Sequence, residues 1–209
     1  MGNGETGDGS IRLEAPIWRD KVSISFGRID EVTADALVCP YDGSFFSTSL
    51  EGELLIIKFG DDPFRKAKEA ESHFKGSLRE IGLKGEVHIP PGYSVATGVG
   101  LEGSSVKKII HTNISNTGES KSQDPVRLAV GNSLEVAEST AEVKTVAVPL
   151  FGEITPETFR PRLLSIIGGI KDYFKDRPDS KIEKVILVVN ADDNEKNRNK
   201  IESILSSQN

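Results

Sequence analysis

The sequence predicts an α/β fold, a three-layer αβα sandwich around a mixed, mostly parallel sheet. Three observations carry that expectation. Several short segments are near-continuous apolar runs, as strands buried on both faces are. In the C-terminal half these runs alternate with segments apolar at helical spacing, two of them opened by a capping residue followed by proline. The 209 residues suit one core, with no repeat and no linker composition to divide them.

From the N-terminus, the first ten residues hold four glycines and no large apolar side chain beyond Met1. Residues 1–16 are expected to form a flexible tail, and 17–209 a single domain. Val22-Ser-Ile-Ser-Phe26 alternates apolar and polar, the mark of a half-buried strand. Ala34–Cys39 reads as a buried strand closed by Pro40. Leu50–Phe59 is apolar at helical spacing, with Gly60 placed to end it. Pro63 to about Ile81 reads as a charged surface helix interrupted near Gly76. Two short extended pieces flank Pro90-Pro91-Gly92, and Lys107–Thr112 is a further strand.

Residues 113–123 are rich in Ser, Asn, Thr, Gly and Lys and read as a loop. Asp124-Pro125 then opens a helix with Val126, Val130, Leu134 and Ala137 on one face. Lys144–Leu150 is a buried strand. Thr155-Pro156 opens the strongest amphipathic helix, through Phe159, Leu163, Ile166, Ile170 and Phe174. Lys184–Asn190 is the last strand, and Asp193 caps a final helix carrying Ile201, Ile204 and Leu205.

Composition excludes several classes. With 26 Lys+Arg against 32 Asp+Glu the net charge is −6, which argues against a general nucleic-acid binder. One cysteine forms no internal disulfide. The longest apolar runs, such as 185–189, are far short of the ~20 residues that span a bilayer, so no membrane association is expected. The acidic N-terminus lacks a signal-peptide core, and a cytoplasmic location is expected. His73, His88 and His111 show no metal-ligand spacing, so neither metal nor cofactor is expected. Gly98-Val-Gly-Leu-Glu-Gly103 matches a dinucleotide fingerprint but leads into a strand, and a hairpin turn is expected instead. Residues 192–203 resemble a calcium loop, yet Asn197 and Ser203 stand where glycine and glutamate are needed. Cys39 reads as a small apolar filler and His111 as a hydrogen-bonded structural residue.

Three segments in order carry a resemblance. Gly27-Arg-Ile-Asp-Glu-Val-Thr-Ala-Asp-Ala-Leu-Val38 resembles a G-D-I-T turn followed by a V-D-A-I-V strand. Gly92–Leu101 with Lys108-Ile-Ile-His-Thr112 is similar to a glycine–threonine hairpin and a V-I-H-T strand. Thr145-Val-Ala-Val-Pro149 is similar to an A-F-P strand and the helix behind it. Together they resemble the macro-domain family over residues 22 to 205. The resemblance implies a macro-domain-like fold that binds ADP-ribose or a related nucleotide at the C-terminal ends of the strands, where α/β sheets place ligands. Glycine-rich loops before helix N-termini there offer N–H groups to a diphosphate.

The ligand-binding residues it implies are Arg28, Ile29, Asp42, Gly43, Ser44, Gly52, Phe151, Gly152, Ile154 and Asn190. Several depart from the family pattern. Arg28 stands where an acidic side chain receives the adenine amino group, and it is donor-only. Asp30 lies two positions away. N-A-A-N becomes Cys39-Pro-Tyr-Asp42, the first loop is glycine only at Gly43 and Gly52, and the second is shortened to Phe151–Pro156 with Glu153 adding negative charge. Asn190 falls where an aromatic ring stacks on adenine.

Asp42 is the one catalytic candidate, as a base for water. It has no identifiable acid partner, so a binding module is expected over an enzyme. An enzyme of this form would hydrolyse ADP-ribosyl bonds or phosphoesters. The competing expectation is a macro fold without nucleotide binding, serving as an oligomerisation or protein-interaction scaffold. A third is a non-enzymatic module like those of aminopeptidases with a similar fold.

Overall fold

The apolar runs form one seven-stranded sheet in the computed structural model, which describes residues 11–12, 21–43, 45, 49–82, 88–115, 124–151, 155–190, 199, 201 and 204. The strands are β1 (Ile11–Arg12), β2 (Val22–Phe26), β3 (Ala36–Tyr41), β4 (Ser94–Gly98), β5 (Lys108–Asn113), β6 (Thr145–Pro149) and β7 (Lys184–Val189). Their order is β1-β2-β7-β6-β3-β5-β4. The five central strands are parallel, and β1 and β4 close the edges antiparallel. The predicted mixed, mostly parallel sheet is what forms.

Alternation within the strands divides the core into two layers. Val22, Ile24, Ala36, Val38, Ile110, Val146, Val148, Val185 and Leu187 face α3 (Pro125–Ser139) and α4 (Pro156–Asp176), with helical Ile201 and Ile204 on the same side. Leu37, Cys39, Tyr41, Ile109, Ala147, Ile186 and Val188 face α1 (Leu50–Phe59), α2 (Asp62–Glu80) and the 3-10 turn Ile29–Glu31.

The predicted caps are present. Asp124 accepts from the amides of Val126 and Arg127, and Thr155 and Thr158 cap each other reciprocally. Gly60, at φ 77°, ends α1. Helices α3 and α4 approach so closely that a Cβ on Gly169 would lie 2.5 Å from the Arg127 carbonyl oxygen.

Four elements differ from expectation. The third strand runs through Pro40 rather than stopping before it, because β6 pairs with β3 only at Ala36 and Leu37. Beyond Leu37 that side of β3 has no ladder to lose, so a residue without an N–H is tolerated. Helix α2 is unbroken at Gly76, since about 1 kcal/mol of glycine cost is small beside the burial of Phe64, Ala67 and Glu71. Only one strand, β4, forms near Gly92 among the described residues. Ile11 and Arg12 pair with Ile24 and Ser23, inside the stretch expected to be a flexible tail. A pairing two residues long is too short for hydropathy to announce. The start of the final helix at Asp193 lies outside the described residues.

The short β3–β6 seam is reinforced at one end by Asp35. Its amide donates to the Thr145 carbonyl (3.1 Å) and hydroxyl (2.8 Å). Its carboxylate accepts from the amides of Lys144 (3.0 Å) and Thr145 (2.9 Å), from the Thr145 hydroxyl (2.9 Å) and from Lys107 Nζ (3.0 Å). Its carbonyl accepts from the amides of Lys107 and Lys108, so β3, β5 and β6 are gathered at one point. At the other end β3 and β6 part, while β3–β5 pairing continues for six residues and β6–β7 pairing for five.

Burial alone would raise the Asp35 carboxyl, but the bonds from Lys107, Lys144 and Thr145 outweigh it and hold it below the usual 3.8. Stability from a depressed carboxyl is present above its unfolded value and lost as pH falls through its folded one. Asp35→Ala should cost about 3 kcal/mol, the worth of one to two hydrogen bonds to a charged group. That corresponds to a Tm lower by about 6–12 °C for a chain of this size. Melting curves at several pH values check it: the gap between wild type and variant should close below about pH 4, and a gap constant down to pH 2.5 would contradict this role.

Candidate functional site

Because the five central strands are parallel, their C-terminal ends lie along one edge of the sheet. Sequence-predicted residues converge there. Arg28 and Ile29 follow β2, Asp42 and Gly43 follow β3, Phe151 follows β6, Asn190 follows β7, and Gly52 sits in the first turn of α1. Backbone bonds tie these ends together: Gly27 N–H donates to the Val189 carbonyl (3.0 Å), Leu150 N–H to Val188 (3.0 Å) and Ile114 N–H to Tyr41 (2.7 Å). Between them is the opening where β3 and β6 stop pairing. Ser44, Gly152, Ile154 and Glu153 lie outside the described residues.

Burial sorts the predicted residues by what they can present to a ligand. Ile29 and Phe151 put their side chains into the two cores, leaving only backbone for contact. Asp42, Arg28 and Asn190 are exposed. The Gly52 amide donates to the Ser49 hydroxyl (3.1 Å), and a Cβ there would meet Ser49 Oγ at 3.5 Å and Cys39 Sγ at 3.7 Å, ordinary contacts. The Gly43 amide donates to Asn113 Oδ1 (3.0 Å), so the first N–H of that loop is already used.

Two side chains not singled out by sequence hold Gly43 and Phe45, just past β3. Asn113 Oδ1 accepts from Gly43 and from Ser115 (3.0 Å), while its Nδ2 donates to the Ile89 (2.7 Å) and Pro90 (3.2 Å) carbonyls. Glu71, buried on α2, accepts from the Phe45 amide (3.0 Å) and pairs with Lys75 (2.7 Å). The Phe45 ring then plugs a pocket beside Tyr41, Tyr93 and His111, at centroid distances of 5.2, 5.9 and 6.0 Å. Glu71 was detectable in principle: it follows Phe64 and Ala67 at helical spacing, a carboxylate on an apolar face.

No family model matches the sequence, and no curated protein does. Solved macro domains share the fold. The Oceanobacillus iheyensis macrodomain with ADP superposes with a TM-score of 0.61 at 18% identity, over 88% of this chain and 94% of that one. The macro domain of ganglioside induced differentiation associated protein 2 gives 0.62 at 16%, over 90% and 85%. The Trypanosoma brucei macrodomain in complex with ADP-ribose gives 0.63 at 12%, over 90% and 72%. The macro-domain fold read from three short segments is therefore the fold of this chain. Identities this low establish architecture and leave the ligand to be argued from the site.

The chemistry of the buried groups on the α1–α2 face is structural. His111 is enclosed, bonded through Nδ1 to the Tyr41 hydroxyl (2.9 Å) and through Nε2 to the Thr97 hydroxyl (2.8 Å). A neutral imidazole has one N–H and one acceptor nitrogen, and two hydroxyls satisfy both. Burial pushes His111 down to about 3 and the Cys39 thiol up to about 12, so neither is charged at neutral pH. The two behave as predicted, as a bonded structural histidine and an apolar filler.

For a base held below its unfolded value of 6.5, stability is complete above that value and falls as acid protonates the unfolded chain first. The slope approaches about 1.4 kcal/mol per pH unit between pH 6 and pH 5. His111→Gln should flatten that slope in denaturant titrations over this window, whereas an unchanged slope would mean that the ring is not held neutral.

Proposed function

We propose that this chain binds ADP-ribose or a related nucleotide, with the diphosphate seated in the opening between β3 and β6. The observation that carries the reading is the early end of β3–β6 pairing. It separates two strands whose C-terminal ends lead into α1 and α4. Both helices begin at capped N-termini, Ser49 and Thr155, where the helix dipole favours an anion. The macro-domain fold supports the same assignment, since solved proteins of that fold carry ADP and ADP-ribose.

In this reading the phosphates sit against the two loops at 44–49 and 152–155, where the Thr155 amide is already bonded to Thr158. The Gly43 and Phe45 amides are committed to Asn113 and Glu71, so they position the first loop instead of contacting the anion. Asp42, exposed just past β3, accepts from ribose hydroxyls. Arg28, Ile29 and Asn190 border the opposite end of the cleft, at β2 and β7.

Thermal unfolding with ADP-ribose tests the proposal. At a hundred times the dissociation constant the ligand should add about 2.7 kcal/mol, raising Tm by roughly 5–10 °C. No shift at millimolar ligand would contradict it. Asp42→Ala should weaken binding about tenfold, the loss of one hydrogen bond to a charged group; unchanged affinity in calorimetry would remove Asp42 from the site.

A further inference from the structure

The β2 end of the cleft carries an unusual arrangement of donors and acceptors. Arg28 folds back onto Asp30, with Nε donating to Oδ1 (3.0 Å) and Nη2 to Oδ2 (2.9 Å). Lys58, from α1, donates to the Asp30 carbonyl. Each carboxylate oxygen of Asp30 thereby accepts one arginine N–H, and its carbonyl accepts the lysine. The Asp30 side chain is also only 12% exposed. Glu31 stands 3.9 Å from Nε, on the edge of the guanidinium already in use.

Donors remain. An arginine has five N–H groups in a planar fork, and the pair with Asp30 consumes two from one edge. The second edge, formed by Nη1 and the other hydrogen of Nη2, makes no bond among the described residues, and the side chain is 47% exposed. The Asp30 carboxylate locks the plane of that fork. Arg28 itself is held in place by its neighbour, whose Gly27 amide is bonded to Val189 at the end of β7.

Position relative to the phosphate decides what meets this fork. The order β2-β7-β6-β3 puts β2 two strands beyond β6, about 10 Å at the usual strand spacing. A nucleoside whose phosphate sits between β6 and β3 spans that distance and delivers its base to Arg28. This step rests on the function proposed above.

We infer that the site selects a base presenting two adjacent acceptors, an oxo-purine such as guanine or hypoxanthine, over adenine. Guanine offers O6 and N7 side by side, which an arginine fork meets with two hydrogen bonds. Adenine replaces the oxygen with an amino group, so a donor faces a donor. Asp30, in the turn beside Arg28, already receives two of its N–H groups.

Isothermal calorimetry of the full chain with GDP, IDP and ADP tests the inference. GDP and IDP should bind about tenfold tighter than ADP, the discrimination typical of one bidentate pair. Arg28→Ala should remove that preference and, by releasing the Asp30 carboxylate, favour ADP. Arg28→Lys keeps the charge and loses the fork, so it should also lose the preference. Equal affinities in the wild type, or a preference surviving in both variants, would overturn the base assignment while leaving the nucleotide site standing. Binding of none of the three would overturn the nucleotide site itself, and this inference with it.

Discussion

Asp35 is the constraint on which the sheet depends. The β3–β6 seam is the shortest among the parallel pairs, two residues long, and it lies in the centre of the sheet. A seam that short would be the weakest line across the domain. Asp35 compensates from just outside the ladder, using its amide, its carbonyl and its carboxylate to bind residues leading into β5 and β6. With one end secured, the other can open without dividing the core. The same opening admits Pro40 into the middle of a sheet.

Around that opening the structure is already committed to shape. Asn113 and Glu71 take the Gly43 and Phe45 amides, and the Phe45 ring packs against Tyr41. Buried polar atoms that are fully bonded make such a frame rigid, and losing a partner would leave a costly unpaired group. In the proposed site, polar selectivity falls to the rim: Asp42 on one side, and Arg28 with its lysine and aspartate neighbours on the other. The rim and the frame are separate parts, so the ligand preference can change without altering the fold.

Much of this was legible in the sequence. The apolar runs of β2, β6 and β7, the Asp124-Pro125 and Thr155-Pro156 starts and the Gly60 stop are local signals, and local structure obeys them. Asp35 was visible as part of a motif, but its role requires Lys144 and Thr145, over a hundred residues away. Pro40 misled because its missing N–H is visible in sequence while the departure of the neighbouring strand is not. Arg28 was plain as a departure from the family pattern; its pairing with Asp30 is a matter of how the turn folds. β1 escaped notice because a pairing two residues long leaves no hydropathic trace.

The central claim is a sheet sealed at the Asp35 end and open to a nucleotide at the other. Amide chemical-shift mapping during titration with GDP and with ADP-ribose tests it most directly. The account predicts shifts concentrated at residues 27–30, 42–43, 49–52, 150–151 and 190, with Asp35, Lys107 and Lys144 silent. Perturbations centred on the Asp35 end or on the β4–β5 hairpin, or none at saturating nucleotide, would contradict it.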